Sequence, residues 1–181
     1  MGERVLLMSI NTSGPKSESI TFRIVSQVLD KLRKKAKHDK VTVNTLVNQL
    51  IADYFDWGTT AIEAGWMVMP KATVSKALEM LSQDEIRSLA DGTYQETKDM
   101  FMFMKGKDDE QSFLSILRIN SEKSGFRLRE LEMDGKTTFI IQHDMGRNYS
   151  SFKKSLYETI MHKYGVRVEF ETTDHTLIMH F

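Results

Sequence analysis

Residues 19–24 alternate without a break: Ser19, Thr21 and Arg23 are polar, whereas Ile20, Phe22 and Ile24 are apolar. A period of two predicts a strand that buries one face. The period then changes. Val28, Leu29, Leu32 and Ala36 recur at helical spacing, with Lys31, Arg33, Lys34, Lys35 and Lys37 on the other face. Ser26 stands where an N-cap belongs, its hydroxyl placed to accept a free backbone N–H. Asp39 and Lys40 break the pattern. Thr42 is the next N-cap, with Val41 and Leu46 spaced as a hydrophobic staple. Leu46, Val47, Leu50, Ile51, Tyr54 and Phe55 form the second stripe, which ends near Trp57 and Gly58. The first third therefore reads as strand, helix, turn, helix.

A single short strand leaves an unpaired backbone edge and a half-buried face. No second strand pattern lies nearby, so a second copy of the chain is the economical partner. Two copies would form an antiparallel ribbon over four helices, with the apolar stripes between subunits.

Ile20 to Ile24, then Ser26 to Ala36, then Val41 to Val47 together resemble the ribbon-helix-helix repressors of the MetJ and Arc class. The resemblance covers about residues 17–56, under a quarter of the chain. It implies an intertwined homodimer, or a tetramer built from it, that inserts its ribbon in the major groove of double-stranded DNA. The outward residues Ser19, Thr21 and Arg23 would then read bases. An Arg guanidinium can pair bidentately with guanine, and Thr can bond a base edge or pack on a thymine methyl. The family also holds a phosphate at the start of its second helix. Here that implicates the backbone N–H groups near Thr42, Val43 and Asn44, with Lys16 reaching from the preceding arm.

Residues 58–96 predict a helical connector. Thr60 and Glu63 have capping-box spacing, Pro70 interrupts the chain, and Val74, Ala77, Leu78 and Leu81 form a stripe. Ser82 and Glu85 make a second capping box, stapled by Leu81 and Ile86, and Asp91-Gly92 ends that helix.

Beyond residue 97 the pattern predicts an α/β domain. Met and Phe alternate over 100–104, which suits a strand buried on both faces. Residues 111–122 read as a helix burying Phe113, Ile116, Leu117 and Asn120, led by the acidic Asp108-Asp109-Glu110 and stopped by Gly125. Strands over 126–133 and 136–143 flank the hairpin signal Asp134-Gly135, and a phase change near Arg129-Glu130 suggests a bulge. A helix over 150–164 carries Phe152, Leu156 and Ile160. Val166, Val168 and Phe170 alternate in a further strand, and Leu177, Met179 and Phe181 lie in a last one beyond Thr173-Asp174.

The order β-α-β-β-α-β, plus a final strand, is that of ferredoxin-like and ACT-like domains. Nickel-responsive repressors join a ribbon-helix-helix module to such a domain, but likeness at this level carries no ligand across. The fold class expected is thus α+β, in four parts: an arm (1–16), a ribbon-helix-helix domain (17–57), a helical connector (58–96) and a ferredoxin-like or ACT-like domain (97–181).

Composition narrows the function. The 181 residues contain 40% apolar side chains and no cysteine, which removes disulfides, thiolate metal sites and cysteine nucleophiles. No apolar run reaches the roughly 20 residues of a membrane span. Val5-Leu6-Leu7-Met8 is too short for a secretory signal, so a cytoplasmic protein without a membrane partner is expected. Net charge is zero. Residues 16–40 nevertheless hold eight Lys or Arg against three Asp or Glu. DNA contact needs positive charge only where the surfaces meet.

His143, His162, His175 and His180 show no paired ligand spacing, so no metal and no cofactor are expected. No nucleophile elbow, phosphate-binding loop or dinucleotide glycine pattern occurs, and an enzyme is not expected. The loop 143–148 is open to two readings, an anion site at a helix start or a well-made connection. The function expected is a DNA-binding transcription regulator whose C-terminal domain oligomerises or senses a small-molecule effector. Two alternatives stand beside it: an antitoxin-like protein gripping a protein partner, and a ligand-binding protein that uses the N-terminal module only to dimerise.

Overall fold

The computed structural model describes residues 18–133 and 135–181. The expected arm, Lys16 within it, and Asp134 of the hairpin turn lie outside the described residues. The chain divides into two compact units, Met1–Leu50 and Ile51–Phe181.

In the first unit, residues 18–25 form no strand in the single chain; they lead into α1, Ser26–His38. This agrees with the physics of a strand that has nothing to pair with. The N-cap position is Val25, without a side-chain cap, so Ser26 is the first helical residue and not the cap expected of it. The turn after α1 is built by the backbone. Lys40 N–H donates to Lys37 C=O at 3.3 Å and Val41 N–H to Ala36 C=O at 3.0 Å. That pair of bonds is a Schellman motif, which requires a left-handed residue, and Lys40 supplies it at φ 57°. α2, Val43–Asp53, follows with Leu46 buried, and the chain continues through a π-helical turn, Tyr54–Gly58.

Turns over 59–65 follow, so Thr60 and Glu63 do not start a helix. α3 (Lys71–Glu79) starts after Pro70, and α4 (Gln83–Gly92) starts at Ser82. The predicted capping box there is complete: Ser82 Oγ accepts the Glu85 N–H at 3.3 Å, and the Glu85 carboxylate accepts the Ser82 N–H at 2.7 Å.

α5, Tyr94–Lys105, replaces the strand expected over 100–104. Phe101 is buried, Met100 and Met104 are half-buried, and Met102 and Phe103 face outward. A five-residue apolar run fits either a buried strand or a helix. The longer spacing from Tyr94 through Thr97 to Phe101 and Met104, and Gly106 in the left-handed region at the C-cap, decide for a helix.

α6 (Glu110–Lys123) is capped by Asp109, whose carboxylate accepts the Ser112 N–H at 2.9 Å. Then come β1 (Arg127–Met133), β2 (Lys136–Gln142), α7 (Arg147–Lys163), β3 (Glu169–Thr172) and β4 (Thr176–His180). The strands form one sheet, β1-β2-β4-β3, with every pair antiparallel. α+β is therefore the class. The ferredoxin-like order is not observed, because its first strand is the helix α5. β2 and β3 both run against β4 and hence parallel to each other, so β2, α7 and β3 form a βαβ unit with β4 inserted between its strands. Pairing of β1 with β2 is continuous from Arg127↔Gln142 to Met133↔Lys136, so the expected bulge is absent. The phase change in β1 is explained by its edge position, with Leu128 and Leu131 half-buried on opposite faces.

The core lies between one face of this sheet and the helices. Phe139 and Ile141 of β2 pair with Met179 and Leu177 of β4, and all four are buried with Phe113, Leu117, Leu156 and Ile160. Burying each such side chain stabilises by about 1.5–3 kcal/mol. A smaller cluster joins Leu78 and Ile86 to Met145 and Tyr149 at the start of α7. Asn148 locks that joint: its amide donates to the carbonyls of Leu78 and Leu81 at 2.8 and 2.9 Å and accepts from Gln83 at 2.7 Å. Among the described residues, no helix is long and apolar enough to cross a membrane.

Candidate nucleic-acid interface and ligand cleft

In the first unit, Ser19, Thr21 and Arg23 are exposed, and so are Ile20, Phe22 and Ile24 between them. The two faces of the alternating segment are therefore not distinguished by burial within one chain. Thr42 is the cap expected of it: its Oγ1 accepts the Thr45 N–H at 3.0 Å. Thr42 and Asn44 are exposed and Val43 is half-buried, so the three stand together at the start of α2. Asn44 uses its backbone carbonyl to accept from the Asn48 amide at 3.0 Å.

Several cations of α1 are engaged with neighbours, Arg33 with Asp30 at 3.3 Å and Lys35 with Asp39 at 2.8 Å. Hydrogen bonds from His38 and Lys35 hold the Asp39 carboxyl below the usual range. Exposed pairs of this kind contribute little to stability and exchange readily for other anions. Charge is divided between the units. Residues 1–50 hold nine Lys or Arg and four Asp or Glu, and residues 51–181 hold 16 and 21.

In the second unit, the loop 143–148 is a closed connection. His143 is 1% exposed. Met145 N–H donates to its Nδ1 at 3.0 Å, so Nε2 carries the proton and donates to Ser150 Oγ at 2.8 Å. The Ser150 hydroxyl in turn donates a hydrogen bond to the Thr173 carbonyl at 2.6 Å. Burial lowers the His143 pKa to about 4, which keeps the ring neutral as this network requires. Ser150 and His143 are thus sealed in structure and form no nucleophile. His175 Nδ1 lies 3.9 Å from Asp144. Among the described residues, no three His, Asp or Glu side chains converge as a metal site.

The feature that sequence patterns did not reveal is a cleft of about 690 Å³ between the 57–74 segment, the C-terminal end of α6 and the start of α7. A second cleft of about 320 Å³ adjoins it and shares Trp66, Met67, Asn120, Phe152 and Lys153. The walls are mainly apolar. Both tryptophans of the chain line the larger cleft, with ring centroids 4.9 Å apart. Trp66 Nε1 is the one buried side-chain polar atom among the described residues that has no hydrogen-bond partner.

Lys153 projects its Nζ over the rings of Tyr157, Tyr149 and Phe152 at 5.3, 5.7 and 5.8 Å. Burial disfavours its charge, but the Tyr149 and Tyr157 oxygens outweigh that and hold its pKa above the ordinary lysine range. No single stretch of sequence announces this site, because its residues come from positions 57 to 153 and each resembles ordinary core or surface.

Compared with known proteins, the chain matches no family model and no curated protein.

Proposed function

We propose that this protein is a sequence-specific, DNA-binding transcription regulator that works as a homodimer. In this reading two copies pair their 19–24 segments into a ribbon that enters the major groove. The observation that carries it is the exposed apolar row before α1. In one chain Ile20 is 74% and Phe22 55% exposed, although they alternate strictly with polar residues. Such a row needs a second surface to cover it, and a two-fold pairing supplies one while turning Ser19, Thr21 and Arg23 outward. The capped start of α2 at Thr42, Val43 and Asn44 would then take a phosphate through its backbone N–H groups. The positive balance of the first 50 residues favours the same surface. The second unit would serve as the part that joins dimers or receives a small effector.

The test is selection of binding sites from random duplex DNA by the full chain, with Arg23→Ala run in parallel. A short dyad-symmetric motif is expected, and the variant should lose a guanine preference worth about 1–3 kcal/mol at one position. Enrichment of nothing by either protein, at low salt and with the dimer confirmed, overturns DNA recognition.

A further inference from the structure

We infer that the cleft lined by Trp57, Trp66 and Lys153 binds a small organic molecule made of an apolar body and a carboxylate. Its volume, about 690 Å³, lies within the roughly 300–1,000 Å³ that small-molecule sites usually enclose. Charge selects the head group. The unit as a whole carries more Asp and Glu than Lys and Arg, yet the larger cleft is lined by Lys71, Lys123 and Lys153 and by no acidic residue.

Two of these lysines are engaged inside the protein. Lys123 pairs with Asp53, and Lys71 donates to the Gly125 carbonyl at 3.1 Å. Lys153 pairs with no carboxylate among the described residues; its ammonium rests on three aromatic faces, with the phenol oxygens of Tyr149 and Tyr157 as its polar neighbours. Ring faces and neutral phenols offset part of the desolvation of a cation but supply no counter-charge. A ligand carboxylate beside Lys153 Nζ supplies that charge. Trp66, whose buried indole N–H has no hydrogen-bond partner, lines the same wall. Trp57, Ile62, Met67 and Phe126 offer the surface for the apolar body.

Trp57 and Trp66 are the only tryptophans, so intrinsic fluorescence of the full chain reports on this cleft. Wild type and Lys153→Met are titrated with decanoate, decan-1-ol and decylamine, which share one tail and differ in head group. Saturable change with decanoate is expected in wild type, with decanol weaker and decylamine weakest. Lys153→Met should weaken decanoate at least about tenfold and leave decanol unchanged. Equal binding of the three probes to wild type, or no saturable response, overturns the inference. So does a variant that loses decanol as much as decanoate, because that loss is one of packing. Should Lys153→Met fail to fold, the head-group order on wild type decides by itself. The titration contains no DNA, so its outcome is independent of the selection above.

Discussion

His143 Nε2 donates to Ser150 Oγ across 2.8 Å while its Nδ1 accepts from the Met145 N–H at 3.0 Å. Protonation of Nδ1 would break the Met145 bond and place a charge in a nearly closed site. The folded pKa is about 4 against an ordinary value of 6.5, so the sign of the linkage is fixed. Above pH 6.5 neither state binds the proton, and the full stability is present. Between pH 6.5 and 4 the unfolded chain binds it and the folded chain does not, so stability falls as pH falls. The total loss from this group is about 3 kcal/mol, complete near pH 4. Urea midpoints measured across this window should decline in wild type. In His143→Gln the decline should be shallower by that amount, on a lower plateau at pH 7. Equal slopes in the two proteins would show that His143 titrates normally.

Lys40 holds the left-handed position that closes α1, at φ 57°. A side chain there is strained by about 1 kcal/mol, and glycine is not. Lys40→Gly should therefore stabilise the first unit by roughly 0.5–1 kcal/mol, and Lys40→Ala should leave it near wild type. Thermal unfolding followed by helix signal separates the two. A destabilised glycine variant would mean that the Lys40 side chain makes a contact worth more than the strain.

Much of the fold was legible because local chemistry and burial agreed. Ser82 with Glu85, Asp109 at the start of α6, Thr42 at the start of α2, and Gly125 past the end of α6 each act locally, and each stands where the pattern put it. The break at Asp39-Lys40 was legible, but its left-handed geometry was not, because the bonds are all backbone and Lys is not the usual residue there. The cleft escaped for a different reason. Lys153, Trp66 and Asn120 meet only after α6 and α7 pack, and no spacing rule connects them. The 100–104 run failed where sequence is least informative, in a short segment apolar at every position.

That last difference is directly measurable. In a strand buried on both faces, neighbouring residues would be equally costly to truncate. In α5, Phe101 is 3% exposed and Phe103 is 54% exposed. Phe101→Ala should cost about 3–5 kcal/mol, and Phe103→Ala should stay within about 1 kcal/mol of wild type. Urea denaturation of the two variants checks this, and similar losses at both sites would restore the strand.

The dimer in the proposed function depends on Phe22 more than on any polar residue of its segment. Phe22 is the largest side chain of the alternating row, and half of its surface is open in the single chain. In a paired ribbon it would lie on the covered face, whereas Thr21 would not. Phe22→Lys places a charge on that face and Thr21→Lys places it on the other. Sedimentation of the full chain should show Phe22→Lys as a monomer, or as a dimer weakened at least about a hundredfold, roughly 2.7 kcal/mol. Thr21→Lys should keep the wild-type mass and change only the selected DNA motif. If both variants keep the wild-type mass, the row is not the subunit contact. If both dissociate, the alternation does not separate a buried face from a reading face, and the ribbon is lost with it.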